Sequence, residues 1–91
     1  MSTHSGQNRK RVLIVDDQPI TRYGLVDLIN HQPDLEVCEE ADGASNALAG
    51  LDACNPDLVP VEINGPDKGG LELIKDIAAL RPQLRMLVIS I

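Results

Sequence analysis

The chain has no tryptophan and no phenylalanine, and Tyr23 is its single aromatic side chain. Modules that read RNA or single-stranded DNA stack bases on aromatic platforms, so this composition argues against direct nucleic acid binding. No apolar run approaches the ~20 residues of a membrane span, and no signal-peptide core is present. Cysteine is limited to Cys38 and Cys54, without metal-type spacing, so two separate reduced thiols in a cytoplasmic protein are expected, Cys38 packing as a small hydrophobe. A phosphate-binding loop is also missing: Gly65 and Lys68–Gly69–Gly70 supply turn flexibility but neither a Walker spacing nor GxGxxG.

What remains is the composition of a small globular domain. Hydrophobic residues make up 43% and charged residues 24% of 91 positions, room for one core and not two. Charge is unevenly placed. Arg9, Lys10 and Arg11 precede every acid, and residues 12–91 then carry five basic against fourteen acidic side chains, a charge of −9. Such a body repels nucleic acid phosphates and suits a cation such as Mg²⁺, although most of these acids read as ordinary solvated surface.

Residues 1–10 lack periodicity and read as a disordered tail, with a folded domain over 11–91. Arg11–Val15 (RVLIV) is a continuous apolar run of the kind buried on both faces of a parallel sheet. A helix follows from Pro19, with Ile20, Gly24, Leu25, Leu28 and Ile29 on its expected inner face, and Pro33 stops it. Leu35–Cys38 reads as a second strand and Asp42–Gly43 as a turn. A helix through Ala44, Ala47, Leu48 and Leu51, weakened by Gly50, closes at Asn55–Pro56. Asp57–Ile63 is a third strand, residues 64–70 a loop, and Leu71, Ile74, Ile77 and Ala78 mark a third helix before Pro82. Met86–Ile91 is a fourth strand. The order β-α-β-α-β-α-β predicts right-handed crossovers and a parallel, doubly wound α/β sheet.

In such sheets the functional crevice lies at the carboxyl ends of the strands. Asp16 and Asp17 follow the first strand, Glu62 lies near the end of the third and Ser90 near the end of the fourth. Carboxylates gathered there repel one another unless a cation lies among them, and oxygen ligands suit Mg²⁺ rather than zinc. The arrangement reads as a Mg²⁺-assisted phosphoryl site on a carboxylate, with the Ser90 hydroxyl donating to a phosphoryl oxygen. A plainer alternative is that Asp16 or Asp17 caps the first helix, whose dipole favours an acid.

The segments VLIVDDQPITRYGL (12–25), PDLEVCEEADGASNAL (33–48), PDLVPVEINGPDKGGLELI (56–74) and RPQLRMLVIS (81–90) together resemble a response-regulator receiver domain of two-component signalling, most nearly that of LuxR-type regulators. The resemblance implies a flavodoxin-like sheet of order 2-1-3-4-5. It implies Mg²⁺ held by Asp16 and Asp17, with Glu62 and Asn64 completing the site, and Ser90 at the position of the family's Ser/Thr. Pro66 and Gly70 match the loop after the acceptor strand. A histidine kinase is the implied partner, and the receiver acts by binding rather than as an enzyme.

Three departures qualify it. The family's phosphoacceptor aspartate aligns with Glu62, whose extra methylene displaces the carboxylate by ~1.5 Å, against tolerances of about half an ångström. Glu62 thus reads as a built-in, imperfect phosphomimic or as a mark of lost phosphoacceptance. Pro60 sits inside the third strand, where it costs a ladder bond or forces a bulge. The sequence also stops after the fourth strand, before the family's fifth strand with its lysine and switch aromatic, which leaves β4 and part of the sheet face uncovered and predicts self-association there. The first reading is a degenerate pseudo-receiver. The alternatives are an active Mg²⁺-dependent phosphoacceptor, or an N-terminal remnant of a LuxR-type DNA-binding regulator.

Overall fold

The structure, a computed structural model, describes residues 9–63 and 69–90, with Ile63 and Ser90 described by their backbone. Expectations that fall on residues 1–8, on Asn64, Gly65, Pro66 and Lys68, and on Ile91 lie outside these. Seven elements alternate: β1 (Lys10–Val15), α1 (Pro19–Asn30), β2 (Leu35–Ala41), α2 (Ala44–Cys54), β3 (Leu58–Ile63), α3 (Gly69–Leu80) and β4 (Arg85–Ser90). All strand pairs are parallel, in the order β2-β1-β3-β4. This is the expected doubly wound α/β arrangement, with β1 starting at Lys10 and β2 running three residues beyond Cys38.

Val12, Leu13, Ile14 and Val15 of β1 are all buried, as a central strand covered on both faces requires. Leu13 and Val15 join Val59 and Val61 of β3 on the face that receives Ala47 and Leu51 of α2 and Leu73 and Ile77 of α3. By alternation Val12 and Ile14 turn to the other face, where α1 lies against β1 and β2. The helices end where local chemistry ends them. Asn55 takes the left-handed conformation (φ 49°) after α2 and its N–H donates to the Leu51 carbonyl, while Pro82 follows α3.

Helix faces differ from the sequence expectation. Ile20 and Leu28 of α1 are 86% and 60% exposed, and no residue of α1 is fully buried. Its inner side keeps the expected Leu25 and Ile29 and adds Arg22 and Val26, each half-buried. Arg22 turns inward because its guanidinium reaches the Asp16 carbonyl and Glu40. In α3 the buried positions are Leu73 and Ile77, a four-residue step over β3 and α2, and Leu71 stays 53% exposed. Both helices carry apolar residues around more than one face, so periodicity left the choice to packing.

Pro60 exerts the effect expected of a strand proline, without a bulge. The β1–β3 ladder keeps partners at Val12↔Leu58 and Val15↔Val61, in step, and the interval between them contains Pro60. On its other side β3 pairs continuously with β4 over six residues. A residue with no N–H interrupts one ladder and leaves the other intact.

The cysteines correct the expectation of two separate reduced thiols. Cys38 and Cys54 are joined in a disulfide. The β1–β2 register slips between Val12↔Val37 and Leu13↔Glu39, so Cys38 is the extra residue of a bulge in β2. Cys54 is the last residue of α2. Bulge and helix end bring two sequence-distant thiols to a Cα–Cα distance of 5.9 Å, which spacing along the chain could not reveal.

Candidate functional site

Asp16 follows β1 directly, and its backbone and side chain are held from three directions. Its N–H donates to the Ala41 carbonyl at the end of β2 (3.0 Å), its carbonyl accepts from Arg22 Nη1 (2.8 Å), and its Oδ1 accepts the Gln18 N–H (2.9 Å). At 1% exposure it is the buried charged residue among the described ones, and its Oδ2 is buried with no hydrogen-bond partner. The N-cap of α1 is Gln18, so the Asp16 carboxylate folds back on the loop two residues ahead and does not serve as the N-cap.

The carboxyl ends of the strands converge as the topology predicts. Asp16, exposed Asp17 and half-buried Glu62 line one pocket of about 140 Å³, together with Asp42, Gly43 and Gly70. The pocket also opens onto the first residues of α2 and α3, Ala44 and Gly69, whose helix N-termini carry partial positive charge toward the acids. Position 90 pairs with Ile63, one strand over and one residue beyond Glu62, while the Ser90 hydroxyl and Asn64 lie outside the described residues.

These donors are oxygen atoms, and the unpartnered Oδ2 of a buried carboxylate is the kind of atom a hard cation satisfies. Among the described residues no group of three or more His, Cys, Asp and Glu side chains is arranged to hold a metal ion. Magnesium does not require one, because it keeps several waters and takes only one or two carboxylates. The donor set therefore fits Mg²⁺ without forming a closed protein cage.

Two contributors escape a reading of the sequence by motif. Asp42, whose Oδ1 accepts from Asn46 Nδ2 (2.7 Å), reads only as a turn residue, although it follows β2 as Asp16 follows β1. Arg22 reads as a surface helix residue, yet its side chain is 14% exposed and holds the Asp16 carbonyl. The rule that sites form at strand carboxyl ends could have flagged Asp42; nothing in the sequence marks Arg22.

Residues 12–91 match the family model for the response regulator receiver domain. The chain is 38% identical over 80 residues to the DNA-binding transcriptional activator DevR/DosR of Mycobacterium tuberculosis, an alignment covering 88% of this chain and 37% of that protein. Its fold superposes on a LuxR-family two-component response regulator from Aurantimonas sp. with a TM-score of 0.81 at 32% identity, covering 90% of this chain and 59% of the other. The response regulator domain of Thermotoga maritima CheB gives 0.79 at 32% identity, over 90% and 60%. The chain thus spans less than two fifths of the regulator whose sequence it matches. Among the described residues no helix is long and apolar enough to cross a membrane.

Proposed function

Since the chain belongs to the response regulator receiver domain family, a family of two-component phosphorelay signalling, we propose that it is a pseudo-receiver in which Glu62 occupies the acceptor position without accepting phosphate normally. The observation that carries this reading is Glu62 at the end of β3, in the same pocket as Asp16 and Asp17. The family chemistry needs an acceptor oxygen in line with the phosphodonor, and a side chain one methylene longer moves that oxygen by ~1.5 Å.

Asp16 and Asp17 would hold Mg²⁺ weakly, with Glu62 and Asn64 as further ligands. When bound, such an ion offsets negative charge on phosphoryl oxygens. The chain's own residues do the rest. Arg22, Gln18 and Ala41 fix Asp16 in place, Glu62 lines the same pocket with its carboxylate oxygens buried, and the N-termini of α2 and α3 favour an anion beside it. Partner recognition would use α1, whose Ile20, Tyr23 and Leu28 are exposed, as the surface for a histidine kinase. A second copy would cover Leu87 and Val88 of β4, which are 53% and 49% exposed.

Incubation with Mg²⁺ and acetyl phosphate, followed by intact mass, tests the reading. No adduct is expected on the natural chain, whereas Glu62→Asp gains ~80 Da, removable by hydroxylamine. A hydroxylamine-labile adduct on the natural chain would overturn the proposal and favour an active phosphoacceptor. The similarity to a LuxR-family regulator and to a DNA-binding activator supports a further reading, that this receiver belongs to a transcriptional regulator.

A further inference from the structure

The Cys38–Cys54 pair has a placement that the signalling reading leaves unused. Cys38 is the bulged residue of β2, the outer strand of the sheet, and is half-buried. Cys54 is 6% exposed at the last turn of α2. The two Cα atoms are 5.9 Å apart, inside the window of roughly 4.4–6.8 Å that a disulfide needs. That approach is held by contacts other than the sulfur bond. β2 is paired with β1 on both sides of the bulge, and Arg11 of β1 donates from Nε to the Cys54 carbonyl (2.9 Å). Arg11 also bonds Glu36 of β2 (3.2 Å), so one side chain ties the end of α2 to the strand that carries Cys38. Two thiols held together this way re-form their bond as an intramolecular reaction at high effective concentration.

We propose that Cys38 and Cys54 are a reversible thiol–disulfide site that exchanges with low-molecular-weight thiols and disulfides of the glutathione class. In opening, the incoming thiolate attacks the more accessible Cys38 sulfur. The S–S bond breaks, Cys54 leaves as a thiolate that takes a proton, and a mixed disulfide remains on Cys38. A second thiolate attacks the external sulfur of that mixed disulfide, so that Cys38 is released and protonated and the two small thiols depart as their disulfide. Closure runs the same steps in reverse, with the small disulfide as the two-electron oxidant. The bond closes residues 38–54 into a loop that includes Asp42 and Gly43 of the acidic pocket. Its state therefore sets how firmly one wall of that pocket is tethered to the sheet edge.

The test uses the whole chain, equilibrated in graded ratios of reduced to oxidised glutathione, then alkylated and weighed intact. A single two-electron transition is expected, from both cysteines alkylated to neither, with no change in oligomeric state. The oxidised chain should melt about 10–20 °C above the reduced one, from the length of the loop closed. A Cys38→Ser/Cys54→Ser chain should melt at one temperature in both buffers. Stable glutathione adducts, disulfide-linked dimers, or alkylation of both cysteines at every ratio would overturn the proposal. Because the titration is done on the natural chain, its result stands even where the double variant fails to fold.

Discussion

At the scale of single residues, Asp16 carries a conflict between stability and chemistry. Its carboxylate is buried, one oxygen accepts the Gln18 N–H, and the other has no hydrogen-bond partner. A buried charge lacking compensation is costly, and that cost is retained where a site uses it. Asp16→Asn keeps the acceptor for Gln18 and removes the charge. In metal-free buffer it is expected to gain about 1 kcal/mol or more, a rise of ~4–8 °C in Tm, while losing any stabilisation by Mg²⁺. Thermal melts in EDTA and in excess Mg²⁺ check both halves, and a lower melting point in EDTA would count against the assignment. Glu62 is the complementary case: on the proposed reading its side chain marks the acceptor position and is one methylene too long for it.

Elements obey local chemistry first and packing second. Gly50 looks from the sequence like a weakness in α2, because glycine inside a helix costs about 1 kcal/mol relative to alanine. The structure supplies its reason. A Cβ at position 50 would lie 3.1 Å from Leu13 Cδ1 and 3.2 Å from Glu39 Cγ, so its absence lets α2 sit close on β1 and β2. Leu13 is fully buried, so any shift that makes space for a methyl group disturbs close-packed neighbours. Gly50→Ala should accordingly gain nothing despite its helix propensity, and Gly50→Val should lose about 1–3 kcal/mol by overpacking. Urea unfolding of the two variants measures this, and an alanine variant clearly more stable than the parent would contradict the packing argument. Element identity and order were legible in the sequence, because apolar runs, proline and turn residues act locally. The inner faces of α1 and α3 were legible only in part: Leu25, Ile29, Ile74 and Ile77 face inward as expected, but several apolar stripes compete on each helix. Contact with the sheet chose Leu25 and Ile29 over Ile20 and Leu28, and Leu73 over Leu71.

For the molecule as a whole, β4 stands at one end of the sheet with Leu87 and Val88 half-exposed on opposite faces. Among the described residues β4 pairs with β3 on one side only, and such a strand offers backbone groups and apolar surface together. The chain is expected to self-associate at tens of micromolar, and Leu87→Lys to shift it toward monomer. Multi-angle light scattering of both proteins decides the matter; equal monomer masses would remove β4 as the contact. At the other end of the sheet β2 is the outer strand, and there the disulfide binds it back to α2.

The sequence by itself determined the alternation of strands and helices, the parallel sheet and the gathering of Asp16, Asp17 and Glu62 at one end of it. These follow from periodicity and from the rule that parallel strands present their carboxyl ends together, both readable along the chain. Tertiary structure alone decided that Asp16 is buried with one oxygen left over, that Arg22 holds its carbonyl, and that Cys38 meets Cys54. Each of these depends on the distance between elements: an arginine reaching from helix to loop, and a one-residue bulge that aims a strand at a helix end. Such distances are set when the sheet and its helices pack, and no local pattern encodes them.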